Sequence, residues 1–161
     1  MRNFSFLILL IANLTLAQTI EGSLSINEKS SFTIELHSNK AVDLYAGFRN
    51  QKYPILFRLQ GTDLIKNDQK QEVVLIAFKT TLRHNGNVIG QVERQPLPFF
   101  PGDMWMPVET FDVISLLTKM SDTSPNVLTT LPKGSYEVII EAQSLGIKGK
   151  IQPAVIYFFV K

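Results

Sequence analysis

The chain of 161 residues contains no cysteine, only two histidines and a single tryptophan. Without cysteine there is no disulfide, no thiol nucleophile and no lipoprotein-type lipid anchor, so the fold must be held by its core. His37 and His84 are too few to build a metal centre unaided. One falls on a polar strand face and the other beside a turn, where a solvent-exposed role is expected and no metal site is assigned. No Gly-x-Ser-x-Gly elbow, Gly-x-x-x-x-Gly-Lys loop or Gly-x-Gly-x-x-Gly turn occurs. That removes the common serine-nucleophile and phosphate-cradling frameworks, and no cofactor is expected. The 16 basic and 14 acidic residues give a net charge of +2. Lys and Arg are scattered singly, so nucleic acid is not an expected partner. Glu35, Asp43, Glu72, Glu137 and Glu141 lie on polar faces and turns and read as solvated, not as a catalytic carboxylate pair.

Long apolar runs are also missing, with one exception at the start. "MRNFSFLILLIANLTLAQT" has a positive charge at Arg2, an apolar run from Phe4 to about Ala12, and Thr15 and Ala17 at the minus-three and minus-one positions of a signal-peptidase site. The run falls short of the roughly 18 to 20 residues that cross a bilayer. The expected organisation is a signal peptide at 1–17 and one domain at 18–161, with no membrane span after cleavage and a secreted or periplasmic location. Loss of Arg2 lowers the net charge from +2 to +1. Both Asn-x-Ser/Thr sites, at Asn3 and Asn13, lie in the leader. Together these features point to a bacterial export product.

What is present is alternation of apolar and polar residues in short segments divided by turn residues, the pattern of an all-β domain. "SFTIELHS" sets Phe32, Ile34 and Leu36 against Thr33, Glu35 and His37, and "AVDLYAGF" continues with Val42, Leu44, Ala46 and Phe48. "YPILFRLQ" can be a strand only from about Ile55, because Pro54 lacks a backbone donor. "EVVLIAFKTTLRH" is apolar on both faces over Val73–Phe78 and should be central. It meets "VIGQVER" through Asn85-Gly86, which predicts a hairpin over 72–94 with a type I′ turn. "VETFDVISLLTKM" fits a short helix, with Val113, Leu116, Leu117 and Met120 on one face and Thr110 as cap, or another strand. "SYEVIIEAQ" and "KIQPAVIYFFVK" are late strands, with "SLGIKGK" as a hairpin connection between them. Roughly seven to nine strands predict an antiparallel β-sandwich with one short helix; a closed barrel is the runner-up.

One stretch breaks the pattern. "QPLPFFPGDMWMP", Gln95 to Pro107, gathers four prolines, two phenylalanines, two methionines and the tryptophan. Proline bars it from a helix interior or a central strand, so an extended crossing between two layers is expected. As a buried seam, it would make Trp105 the central plug of the core. As a solvent-facing loop, it would make Phe99, Phe100, Met104, Trp105 and Met106 a sugar-stacking platform or a protein-docking surface, joined by Tyr45, Phe48, Tyr53 and Phe57. The seam is the favoured expectation, because so much apolar surface is rarely left wet on a small monomer.

"LPKGSYEVIIEA", from Leu131 to Ala142, resembles the Leu-Pro-x-Gly-x-Tyr lead into a late strand of exported bacterial immunoglobulin-like domains, macroglobulin-like and protease-inhibitor-like sandwiches included. "FPGDMWMPVETF" is similar to the Pro-Gly turn that precedes a strand in such modules. The stretch from Leu131 to Lys161 also resembles carboxy-terminal sorting domains of bacterial surface proteins, without their upstream Asn-Pro. The resemblance implies an immunoglobulin-like β-sandwich and names no ligand; with the leader and the missing catalytic motifs, a non-enzymatic binding or assembly role in the periplasm or at the cell surface is expected. The expected partner is a protein or a polysaccharide. A carbohydrate-binding module or protease inhibitor is the alternative, although chagasin-type loop motifs are missing, and a glycoside hydrolase-like enzyme is third.

Overall fold

A computed structural model describes residues 18–119 and 130–161. The expected leader at 1–17 and Met120 of the expected helical face lie outside the described residues. Ten strands form two sheets. They are β1 (Thr19–Ile26), β2 (Ser31–Ile34), β3 (Ile55–Thr62), β4 (Val74–His84), β5 (Asn87–Glu93), β6 (Leu97–Phe99), β7 (Gly102–Met106), β8 (Gly134–Ser144), β9 (Lys148–Gln152) and β10 (Ala154–Val160). The first sheet has the order β7-β3-β1-β9. The second has the order β2-β10-β8-β4-β5, with β6 also paired to β4. Two sheets facing a shared core make the molecule sandwich-like, so the strands do not close into one barrel. β1 with β9 and β2 with β10 are parallel pairs, so the purely antiparallel expectation is corrected to a mixed arrangement.

The hairpin over 72–94 is present. β4 and β5 pair from Lys79↔Glu93 to His84↔Asn87 with a register shift between Leu82 and Arg83, and Asn85 (φ 49°) and Gly86 (φ 82°) both take the positive φ that the tight turn demands. The Asn85 side chain also ties the turn to the start of β8, because its Oδ1 accepts from the Ser135 amide at 2.9 Å.

The chain changes sheet twice at proline. β6 belongs to the second sheet and β7 to the first, with Phe100 and Pro101 between them. β9 belongs to the first sheet and β10 to the second, with Pro153 between them. The terminal segment expected as one strand is therefore two, and the Ser144–Ile147 turn joins strands in different sheets, not a hydrogen-bonded hairpin. Proline supplies no ladder donor, which is why the ladders end there.

Two elements depart from the sequence reading more strongly. Ala41–Arg49 is a helix, α1, not a strand. Its buried residues Ala41, Leu44 and Phe48 follow helical spacing, and because Leu44 and Phe48 also fit a two-residue alternation, nine residues could not separate the two periods. Asp43 in its first turn and Arg49 in its last suit the helix dipole. Gly47 is required by packing, since a Cβ there would collide with the Tyr53 ring. The second departure is β1, a full strand that the sequence reading passed over, with Gly22 interrupting its alternation. The expected helix after Pro107 becomes a 3-10 turn, Val108–Phe111, and a short helix α2, Val113–Thr118, so there are two α-helices where one was expected. Thr110 does not cap; the left-handed Asp112 (φ 53°) separates the pieces and is held by Arg94 at 2.5 and 2.7 Å.

The centre of the core is a set of phenylalanines. Phe78 meets Phe57, Phe99 and Phe111 edge-on, with ring centroids 5.5, 5.4 and 5.1 Å apart. Edge-to-face pairs add to area burial and fix ring orientation.

A candidate ligand groove at Trp105

Among the described residues β7 is an edge strand, paired only with β3. Met106, in register with Ile55, and Met104, in register with Phe57, are partly buried against the core. The strand's two-residue period then forces Asp103 and Trp105 to the outer face. Trp105 is 65% exposed. The plug expected of Trp105 is thus overturned: the crossing between layers exists, but parity turns the indole outward, and Phe57, Phe78 and Phe111 fill the centre with Phe99 packed against them.

Opposite Trp105 in the register is Leu56, and beyond it Ser25. Leu56 is only 3% exposed although it stands outside the core cluster, on the outer face. Cross-strand neighbours lie about 5 Å apart, so the indole has a firm apolar neighbour.

Beside Trp105 opens a groove of about 510 Å³. Trp105, Met106, Pro107, Phe48, Tyr53 and Pro54 line it, and Arg49, Gln51 and Glu109 add polar groups to the lining. Its volume is in the range of small-ligand sites. The rim charges engage each other: Arg49 Nη1 lies 3.4 Å from Glu109 Oε1, and the Tyr45 hydroxyl donates to the same oxygen at 2.6 Å. The Tyr45 hydroxyl, followed by a backbone hydrogen bond and the Arg49 guanidinium, holds the Glu109 carboxyl below the usual carboxylate range. Arg49 is raised in turn, by Tyr45 first and Glu109 second.

The five binding candidates of the sequence do not stay together. Trp105 and Met106 line the groove, Met104 and Phe99 are half-buried at the core margin, and Phe100, 45% exposed, lies past the end of β6 away from the groove lining. Of the other aromatics, Tyr53 and Phe48 reach the groove while largely buried, Tyr45 serves its rim, and Phe57 is inside the core. Arg49, Gln51 and Glu109 were missed. The signal for Arg49 was its place four residues after Tyr45, one helical turn, which becomes legible only once Ala41–Arg49 is read as a helix.

The chain matches no protein-family model, no curated protein and no solved structure. Chemistry must therefore be read from the groove itself. His37 is exposed, whereas His84, expected to be exposed, is half-buried against the Tyr136 ring with Nε2 3.0 Å from the Lys133 carbonyl. No group of three or more metal-binding side chains gathers among the described residues. Glu137 pairs with Arg83 at 3.2 Å and Glu141 with Lys79 at 3.9 Å, ordinary surface pairs across strands.

Proposed function

We propose that the chain is an exported, non-enzymatic binding module of the bacterial periplasm or cell surface, built on an immunoglobulin-like sandwich, which holds its ligand in the groove beside Trp105. Two features support the immunoglobulin-like reading. The orders β7-β3-β1 and β10-β8-β4 match the E-B-A and G-F-C runs of that fold. Tyr136, near the start of β8, donates its hydroxyl to the Pro132 carbonyl at 2.7 Å, four residues upstream, as a tyrosine corner does. Export rests on the leader-type sequence at 1–17.

The observation that carries the binding role is the exposure of the chain's one tryptophan at a groove also lined by Pro54 and Pro107. Interface anchors are enriched in Trp, Tyr and Arg, and all three meet at this groove. The emission of Trp105 is the test, since no other indole contributes. Ligands selected from glycan and peptide panels by the intact protein should shift or quench it, and Trp105→Ala should remove their binding without altering the melting temperature. Ligands that bind while leaving the emission unchanged and that survive Trp105→Ala would place the site elsewhere.

A second reading, an inhibitor-like protein contact, is favoured by one other feature. Leu145, just past the end of β8, bonds to Leu75 of β4, which pairs with Pro98 of β6, and exposed Phe100 follows β6. Such a row at one end of a sandwich suits a protein surface, and Leu75→Ser would weaken that contact while leaving the Trp105 signal intact.

A further inference from the structure

We infer that the ligand of the Trp105 groove is a neutral polysaccharide chain, stacked on the indole and continuing across the outer face of the first sheet. The inference rests on the groove being the binding site, and it adds the ligand's class and path.

The indole offers a flat, fixed apolar surface. Trp105 stands on a strand of five residues between Pro101 and Pro107, with Leu56 opposite it in the register. The electron-rich face of an aromatic ring attracts the positive edge of C–H bonds, and a pyranose presents several on one side.

The charges around it are already satisfied. Arg49 is paired with Glu109, and Arg58 Nε lies 3.1 Å from Asp103 Oδ2. Two cations and two anions flank Trp105 in matched pairs, and the remaining cation, Lys52, lies over the Tyr53 ring at 5.4 Å, so the surface offers donors and acceptors with little net charge. A phosphate or carboxylate ligand would have to compete with Glu109 or Asp103 for its arginine. A hydroxyl group needs no such exchange, because it donates to the carboxylates and accepts from the guanidinium groups as they stand.

The face also has the extent of a chain-binding surface. Asp103, Arg58, Ser23 and Gln152 stand in direct register across all four strands of the first sheet, one row from Trp105, Leu56 and Ser25. At about 4.8 Å per strand, that row spans about 14 Å, enough for more than one sugar ring. Ser23 keeps the surface low towards the Gln152 amide, while Ser25 and Leu56 are themselves buried in the row behind it. A peptide added to the free edge of β7 is the competing occupant. The edge is only five residues long, and the polar groups lie on the face of the sheet, where an added strand would not meet them.

The experiment is a titration of Trp105 emission in the intact protein with neutral hexasaccharides (β-1,4-linked glucose, xylose, mannose and N-acetylglucosamine, and α-1,4-linked glucose), with polygalacturonate and heparin fragments, and with a random peptide library. At least one neutral hexasaccharide should quench or shift the emission, with an affinity that barely changes with salt. Trp105→Ala should weaken it about tenfold or more, Trp105→Tyr less, and Gln152→Ala should weaken the hexasaccharide more than the matching disaccharide. Response to none of these sugars, or only to the charged fragments with a steep loss in salt, overturns the inference. A Trp105 response to peptides alone overturns the sugar class and leaves the groove as the binding site. Sugar binding that ignores Trp105→Ala removes the groove itself.

Discussion

Trp105 and Tyr136 are both large aromatics that follow a proline- and glycine-bearing turn into a strand, yet one is 65% exposed and the other 1%. Their size and turns do not explain the difference; their strands do. Tyr136 belongs to β8, which has β10 on one side and β4 on the other, and shares an inward parity with Val138 and Ile140. Its ring stacks on Phe158 at 4.7 Å and lies 4.6 Å from His84. Trp105 belongs to an edge strand whose inward places are taken by Met104 and Met106. Burial is thus decided by parity and sheet position. A decisive test is the pair of alanine variants. Tyr136→Ala should cost at least about 3 kcal/mol, as expected for emptying a large aromatic site, while Trp105→Ala should stay within about 1 kcal/mol. Chemical denaturation measures both; equal losses would erase the contrast. Emission from native Trp105 should accordingly be red-shifted and open to iodide.

Of the two residues, only Tyr136 carries a titratable group. Burial pushes the Tyr136 phenol from 10.0 up to about 12. Its folded value is the higher one, so the associated stability is whole below pH 10 and is lost as pH rises from about 10 through about 12. The loss is on the order of 2 kcal/mol. Tyr136→Phe should flatten that alkaline decline, at the expense of about 1 kcal/mol at neutral pH for the hydrogen bond to Pro132. Melting temperatures from pH 8 to pH 12 would show it. An unchanged alkaline slope in the variant would mean that other groups govern the decline.

Smaller again is the effect of the hairpin turn. At Gly86 a Cβ would meet nothing within 4 Å, so Gly86→Val tests backbone conformation alone. The positive φ should cost valine about 1 kcal/mol or more. Gly86→Asn should cost less, since asparagine tolerates that region.

The hairpin was legible because Asn85-Gly86 is a local signal with one physical reading. Pro101 and Pro153 announced breaks for the same reason, although only the first was read as a crossing between layers. The fold class was legible too, as strand alternation repeated along the chain. The groove was not. Its rim joins Arg49 to Glu109, sixty residues apart, through a helix whose nine residues also satisfy strand spacing. The exposure of Trp105 depended on register with β3, and a proline-rich stretch carries no period from which parity can be counted. A sequence declares its turns locally and its faces only through partners.

The smallest expected effect lies at the rim itself. Tyr45 donates to Glu109 at 2.6 Å, and Arg49 Nη1 lies 3.4 Å from the oxygens of both. Tyr45→Phe removes the first cause of the lowered Glu109 carboxyl, so that group should titrate closer to its ordinary value of 4.5. Its folded value is the lower one, so the stability it contributes is present above 4.5 and is lost as pH falls through the folded value; the variant should lose less on acidification. All three side chains are at the surface, and the change at neutral pH should stay below about 1 kcal/mol. Carboxyl titration by NMR reads the shift directly. If Glu109 titrates identically in Tyr45→Phe, the backbone hydrogen bond and Arg49 suffice to hold it, and the phenol does not fix the geometry of the rim.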